Sequence, residues 1–555
     1  MQIKSHLFRR LGVWAIRSAE VLILSALILA ARCANYQDVF IAGNVYFTDP
    51  DCYSRMTRVR MCAQRPGLIV RHHAFENFPR GTTPHTTALL DYLILATAVS
   101  LKPFTTHAID LAGALVSPLF ALFGAWFLCW WSRLMQLRYQ WAMLILYGIS
   151  PILVHGAELG RPDHQSLSIL LVTVALCAEW TLRVGAGEAS AGTVLRRWSI
   201  VSGFAWGLAL WVSLYEPLLL LLIMIVVLLA LEYFHGRHAE NARWRHAVAT
   251  LLGRDRRIGW FCFVAIVALA FLVERRIPSL PMFEPNDIFR NWARTIGELA
   301  HVSPLNPIWF CWAGWLLVAL PFLIWLGFRK SKSAGKSEGL PIFMVALLVA
   351  TYLFTIWQAR WAYLFLLIFT MALPSLLEPI RWRFAVWALF ILSTFPIFRE
   401  WDVKLWPDGT ELSRRTEYRR EVVELRELAL NLMSSEPHSF LSPWWLSPSI
   451  AYWSGQAGVT GSSHESLDGI AESARFYLAE DLRKPREILE NRAVAWVFAY
   501  DSDRVGANSA TVLGVPMPRN PLCRILDRAP AQAPPFLIFF AQNGTGKLFR
   551  VANNR

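Results

Sequence analysis

The chain has 555 residues, 55% of them hydrophobic and only 17% charged, with 26 Trp and 34 Phe, a balance that excludes an ordinary soluble globular protein. The formal charge of +14 is spread over short basic loops between apolar runs. That is the positive-inside pattern of a membrane protein, not the single basic face that a nucleic-acid partner requires.

The first apolar run, Val13 to Ala31, follows Lys4, Arg9 and Arg10. Only Arg17 and Glu20 interrupt it, and no small-x-small site closes it, so it reads as an uncleaved first span rather than a signal peptide. Its basic flank puts the amino terminus in the cytoplasm and the polar stretch Asn35 to Thr87 outside. Cys52 and Cys62 share that stretch and read as free thiols, with a disulfide as the alternative. No cysteines pair as CxxC, so a metal knuckle is not indicated.

Ala88 to Leu101 is apolar but short and carries Asp91, which suits an interfacial or re-entrant helix. If it does not cross, Phe104 to Trp131 runs inward. Arg133 and Arg138, the loops at 183–197, 237–257 and 329–336, and Arg381 with Arg383 then all fall inside. The further spans are Trp141 to His155, Ser166 to Leu182, Ile200 to Leu214, Pro217 to Tyr233, Ile258 to Val273, Pro307 to Phe328, Pro341 to Thr355, Ala362 to Leu376 and Phe384 to Ile397. About eleven crossings, up to about thirteen with shorter segments counted, leave the residues after Arg399 outside.

From there the sequence changes character, with a charged helical stretch at Arg414 to Leu432 and a strand-like run at Ala493 to Tyr500. The predicted fold class is therefore a polytopic α-helical membrane domain followed by a C-terminal soluble α/β domain. The membrane domain covers 1–399, with long outer loops at 35–87 and 274–306, and the extracytoplasmic domain covers 400–555. No repeat of fixed period occurs, and the one biased segment is the Ala/Gly-rich loop Gly185 to Gly192.

Three acidic clusters emerge on the outer face. The first is Thr48-Asp49-Pro50-Asp51-Cys52-Tyr53-Ser54-Arg55. Carboxylates at i and i+2 suit a hard divalent cation with oxygen ligands, although the same letters also make an Asp-Pro turn with solvated acids. The second is Gly160-Arg161-Pro162-Asp163-His164-Gln165, a charged turn between two spans. The third is Thr295-Ile296-Gly297-Glu298, which alone could be one solvated Glu on a short helix.

Taken in order, with Phe78-Pro79-Arg80-Gly81 and His85 between the first and second, these segments resemble the catalytic subunit of oligosaccharyltransferase and its bacterial relatives. These belong to the GT-C class of membrane glycosyltransferases. The resemblance runs from the first span to about Leu376, and Thr-Ile-x-Glu is its most specific element. It implies a divalent cation, Mg2+ or Mn2+, held by Asp49 or Asp51, Asp163 and Glu298. Gln165 stands where the family often has an acid or His, and can ligate only through a neutral carbonyl. His164 reads as a supporting donor. Both Asp49 and Asp51 stay open as the principal acid.

The resemblance also implies substrate contacts at Arg55, His85, Arg360, Trp444 and Trp445. Arg360, in Gln358-Ala359-Arg360-Trp361, matches a basic residue near the lipid phosphate or acceptor; snorkelling to the interface is its other reading. Trp444-Trp445 match the Trp pair of a Trp-Trp-Asp motif that reads the acceptor sequon. Leu446 stands in place of the Asp and cannot accept a hydrogen bond, so sequon glycosylation is not expected. Val459 to Ser466, which includes His464, reads either as an acceptor loop or as a packed polar turn.

The implied activity is transfer of a sugar or oligosaccharide from a polyprenyl-(pyro)phosphate-linked donor to a protein, lipid or glycan acceptor at the outer face. A single-sugar transferase using a polyprenyl monophosphate is the alternative. The implied setting is a bacterial inner membrane with a periplasmic C-terminal domain. A transporter is the rival of another class, but the acids lie at one membrane border rather than at the midplane.

Overall fold

The computed structural model describes residues 2–184, 192–235, 240–276, 286–334, 340–433 and 438–552. All but Gly192 of the expected Ala/Gly-rich loop lies outside them. Every expected crossing falls on helix. Among the described residues, six helices are individually long and apolar enough to span a membrane: Trp14–Arg32, Ala108–Leu134, His164–Val184, Tyr215–Phe234, Arg254–Glu274 and Ala359–Leu377.

The expected continuous spans elsewhere are shorter or broken. Trp141 to His155 divides into Gln140–Ile149 and Pro151–His155, because Pro151 lacks the N–H that would continue the turn. Pro307 to Phe328 divides at Gly314, whose φ of 74° ends the helix Ile308–Ala313. A Cβ there would also meet the Ser393 carbonyl oxygen at 2.5 Å, so only glycine fits. Ser393 in turn ends Arg383–Ser393, which bends by 45° into Phe395–Leu405. The two breaks are fastened together: Trp315 N–H donates to Ser393 O at 2.9 Å and Leu316 N–H to Ser393 Oγ at 2.6 Å.

Elsewhere in the bundle, small residues let helices touch. A Cβ on Gly203 would lie 1.9 Å from the Gly259 carbonyl oxygen, which brings Gly192–Val212 and Arg254–Glu274 into backbone contact. One apolar core runs through these helices from Leu24 to Ile397.

Two features position the candidate site. The helix Pro50–Gln64 lies against Ala88–Leu101, where Arg55 and Arg58 turn inward onto Asp91 at 2.8 and 3.2 Å. The 14 residues of Ala88–Leu101 reach only about 21 Å, short of a hydrocarbon core of about 30 Å. The second feature is a sheet-containing C-terminal region with its own core from Leu425 to Phe549. Its five strands run Ala457–Gly458, Ser439–Leu441, Val494–Ala499, Lys547–Val551, Leu537–Gln542 across the sheet. The first three are parallel and the last two antiparallel to their neighbours. The expected strand at Ala493 to Tyr500 is the central one, and the expected charged helix is Gly409–Leu430.

The loop between the first span and Ala88–Leu101 is sewn to that sheet. Phe78 N–H donates to Gly458 O at 3.1 Å and Gly458 N–H to Phe75 O at 2.9 Å, extending the edge strand. Buried Arg492 donates to Asn77 Oδ1 and Phe78 O, each at 3.0 Å. Arg60 donates to Tyr452 O at 2.7 Å and pairs with Asp110. Cys52 and Cys62 are both buried free thiols.

Candidate active site

Each acidic motif is set by local backbone chemistry. Asp49 caps the helix Pro50–Gln64, its Oδ1 accepting from Cys52 N–H at 3.0 Å, with Pro50 in the first helical position. Asp51 occupies the first turn, where the helix dipole favours an anion. Asp163 immediately precedes His164–Val184 and accepts from His164 N–H and Nδ1, each at 2.7 Å. Glu298 sits on the single turn Gly297–Leu299. The chain after that turn is bonded to 356–359, with Val302 N–H to Ile356 O at 3.1 Å and Ala359 N–H to Ala300 O at 2.9 Å.

The second and third motifs and Asp49 meet at Arg161. This side chain is 7% exposed, and its Nη1 lies 3.0 Å from Asp49 Oδ2 while its Nη2 lies 3.0 Å from Glu298 Oε1. It also donates to His155 Nε2 at 3.2 Å, and the other ring nitrogen of His155 meets Tyr363 OH at 2.8 Å. Glu298 accepts further from Gln165 Nε2 at 3.2 Å and from Tyr363 OH at 3.3 Å. Burial acts to lower Arg161, but the adjoining carboxylates, Asp49 foremost, hold the guanidinium firmly charged. Burial raises the Glu298 carboxyl in spite of Arg161.

Asp51 is exposed to water in the first turn of the same helix. It shares a cavity of about 20 Å³ with Asp163, His85, Glu76, Arg55 and Ser462, room for about one water or ion. Burial, then Asp49 and Asp163, pushes the Asp51 carboxyl up to about 6; burial pushes Glu76 up to about 7. Asp163 moves the other way. Burial would raise it, but His164, then Arg161 and Arg55, hold it well below the usual carboxylate range.

The expected substrate-binding residues divide. His85 reaches the cavity rim and lies 3.0 Å from Glu465, with His464 next to it. Arg55 lines the cavity while its charge is answered by buried Asp91. Arg360 forms an ion pair with Glu216 and lies over the Tyr215 ring. Trp444 and Trp445 meet edge to face, 5.8 Å between ring centroids. Trp444 stacks edge-on against Trp292 at 5.8 Å and donates to Asn508 Oδ1 at 2.9 Å, which braces the loop that carries Glu298. Leu446 is buried in the C-terminal core.

The five residues expected to hold a divalent cation share a neighbourhood but do not close on one point. Arg161 stands between Asp49 and Glu298, Gln165 turns its amide nitrogen to Glu298, and Asp163 is engaged by His164. This arrangement does not fit one shared ion. Among the described residues, the His, Cys, Asp or Glu atoms that do converge belong to His85, His464 and Glu465.

Arg161 lies inside the second acidic motif, two residues before Asp163, and that position is its only sequence signal. Glu465 belongs to the ionisable loop Val459 to Ser466. Glu216, His155 and Tyr363 carry no local signal, because their partners are distant in the chain. A larger cavity of about 780 Å³ opens between the first outer loop and Gly409–Leu430. It is lined by charged side chains such as Arg415, Glu421 and Arg504 and reaches Thr48 and Glu158, chain neighbours of Asp49 and Arg161.

The architecture has solved counterparts. The oligosaccharyltransferase of Archaeoglobus fulgidus, tethered with an acceptor peptide containing an NVT sequon, matches with a TM-score of 0.63 at 13% identity over 96% of this chain and 74% of that one. ArnT from Cupriavidus metallidurans, bound to undecaprenyl phosphate, matches with a TM-score of 0.53 at 11% identity over 98% of both chains. The fold is that of the GT-C glycosyltransferases. The archaeal protein, AglB, is also known in complex with an inhibitory peptide and a dolichol-phosphate, and with Zn and sulfate. No family model matches this chain, and no curated protein matches its sequence. With six or more apolar helices in this fold, the chain is an integral membrane protein.

Proposed function

We propose that the chain is a glycosyltransferase that moves a sugar or oligosaccharide from a polyprenyl-(pyro)phosphate donor to an acceptor at the outer membrane face. One observation carries the reading: Arg161 joins Asp49 to Glu298 beside Asp163, so three motifs far apart in sequence form one charged centre. The solved counterparts that bind dolichol-phosphate and undecaprenyl phosphate support the donor class.

In this reading the guanidinium groups of Arg161 and Arg360 attract the donor phosphate and stabilise the charge it gains on leaving. Glu298, with Gln165 and Tyr363, holds Arg161 in place. Asp51, accessible and with its pKa raised, takes the proton of the acceptor. The acceptor oxygen or nitrogen forms a bond to the anomeric carbon as the bond from that carbon to the phosphate oxygen breaks. The electron pair leaves with the phosphate, and the anomeric centre inverts. The polar 780 Å³ cavity near Asp49 admits a hydrophilic acceptor.

The same reading places residues 1–399 in a bacterial inner membrane with the amino terminus cytoplasmic, and residues 400–555 in the periplasm. Buried Leu446 in the sequon-reading position favours an acceptor other than Asn-x-Ser/Thr. That leaves single-sugar transfer from a polyprenyl monophosphate to a lipid, glycan or protein hydroxyl as the form best suited to this chain. The test is donor-carrier binding: native mass spectrometry of the purified chain should show retained undecaprenyl phosphate, weakened in Arg161→Met. No retention in either protein would count against the reading.

A further inference from the structure

His85 lines the Asp51 cavity, and His464 and Glu465 follow Ser462 and Ser463 of the same lining, so the three come from two separate parts of the chain. His85 belongs to the first outer loop. His464 and Glu465 begin the single turn His464–Ser466 in the C-terminal region. One ligand atom from each of the three falls within 4.8 Å of the others. Glu465 Oε1 is 3.0 Å from His85 Nδ1 and 3.5 Å from His464 Nε2. Two ligands about 2.1 Å from a tetrahedral zinc ion lie about 3.4 Å apart, and these separations bracket that value.

From this convergence we infer a zinc-type metal site formed by His85, His464 and Glu465, which clamps the first outer loop to the C-terminal region. Two imidazoles and one carboxylate select zinc, cobalt or nickel over magnesium or calcium, which take all-oxygen sets. Two neutral imidazoles and one carboxylate leave a net single positive charge on the bound divalent ion. The side chains of His464 and Glu465 are 9% and 10% exposed, whereas His85 is 34% exposed. The most exposed of the three ligands is His85, which also lines the Asp51 cavity. His464 is braced by an edge contact with Phe289, 6.4 Å between ring centroids, on the loop that also carries Glu298. The ion thus ties together three segments around the cavity: the first outer loop, the Glu298 loop and the C-terminal turn.

The site is independent of the transfer reading, and its test reads metal rather than activity. The full chain, purified in detergent and stripped with a chelator, is titrated with Zn2+ while elemental content and thermal unfolding are followed. The expected result is one zinc per chain, a raised unfolding temperature, and visible d–d bands of four-coordinate cobalt when Co2+ replaces zinc. His464→Ala and the gentler Glu465→Gln should each lose stoichiometric zinc. His72→Ala, on an exposed histidine of the same loop, should keep it. A folded wild-type chain that takes up no zinc would overturn the site, as would full zinc content in both His464→Ala and Glu465→Gln.

Discussion

Arg161 Nη2 lies 3.0 Å from Glu298 Oε1, although 137 residues separate the two in the chain. The pair joins the turn before one membrane helix to the loop that carries Glu298, and Asp49 on the opposite arm of the guanidinium closes the group. Arg161→Lys cannot keep both contacts, because an ammonium lacks the planar fork. We expect transfer by Arg161→Lys to fall by about 100-fold or more. Arg161→Met should in addition lower the unfolding temperature, since it leaves two acids unpaired in a largely enclosed site. Steady-state transfer rates and thermal unfolding check both.

Asp51 gives a pH signature with opposite signs for activity and stability. Its carboxyl is pushed up to about 6 from 3.8, so it can accept a proton only as pH rises through about 6, and the rate should climb there and then level. The sign for stability follows from the raised folded-state value: the favourable contribution is present below about 3.8 and lost as pH rises through about 6. Asp51→Asn should therefore abolish the climb and most turnover while unfolding at an equal or higher temperature than wild type above pH 6. Asp49→Asn should act mainly through Arg161, raising KM for the donor more than it lowers kcat. A pH–rate profile unchanged in Asp51→Asn would exclude it as the base.

Glu298→Gln removes the charge that holds Arg161 and should cost most of the activity while leaving insertion intact. Choosing its control needs the structure. Glu274, in the same outer loop, is buried and accepts from Ala88 N–H at 2.8 Å and Trp211 Nε1 at 3.2 Å, so its replacement disturbs folding. Asp287, exposed in its pair with Arg290, is the suitable neutral site. Asp287→Asn should transfer at the wild-type rate, and equal losses in the two variants would remove the specific role of Glu298.

The acceptor prediction rests on Leu446. If the Trp444-Trp445-Leu446 match to the sequon motif holds, buried Leu446 deprives a desolvated acceptor hydroxyl of a partner worth about 1 to 3 kcal/mol. A peptide with Asn-x-Thr should be no better an acceptor than the same peptide with Ala for Thr. Strong, hydroxyl-dependent glycosylation of the first peptide alone would refute this.

Much of this arrangement is legible in the sequence, and the illegible parts share a cause. Asp49, Asp51 and Asp163 stand out because capping and turn chemistry act over a few residues. Asp91 stands out because an acid in an apolar run must find a partner. That the partners are Arg55 and Arg58, or that Glu216 answers Arg360, depends on packing between segments that no local pattern encodes. The same holds for Trp444, whose contact with Trp292 joins segments far apart in the chain. Helix breaks at Pro151 and Gly314 were hidden inside apolar runs, since hydropathy does not register a missing N–H or a positive φ.

Orientation can be read with single cysteines at exposed positions. Arg483, whose side chain is 88% exposed, belongs to the C-terminal region, and Trp244, 55% exposed, lies among the basic loops. Arg483→Cys should react with an impermeant maleimide on cells whose outer membrane alone is permeabilised, and Trp244→Cys only after lysis. The reverse pattern would invert the topology.

Sugar transfer itself is the most direct test of a glycosyltransferase centre built on Asp51, Arg161 and Glu298. Purified chain in nanodiscs would be given undecaprenyl phosphate and undecaprenyl pyrophosphate, each carrying a radiolabelled sugar, together with a membrane glycolipid extract. Label leaving the polyprenyl carrier would be followed for wild type, Asp51→Asn and Glu298→Gln. The expected result is wild-type transfer to a polar acceptor that falls by at least about 100-fold in both variants. No release from either donor by the wild-type chain, or undiminished release by both variants, would contradict it.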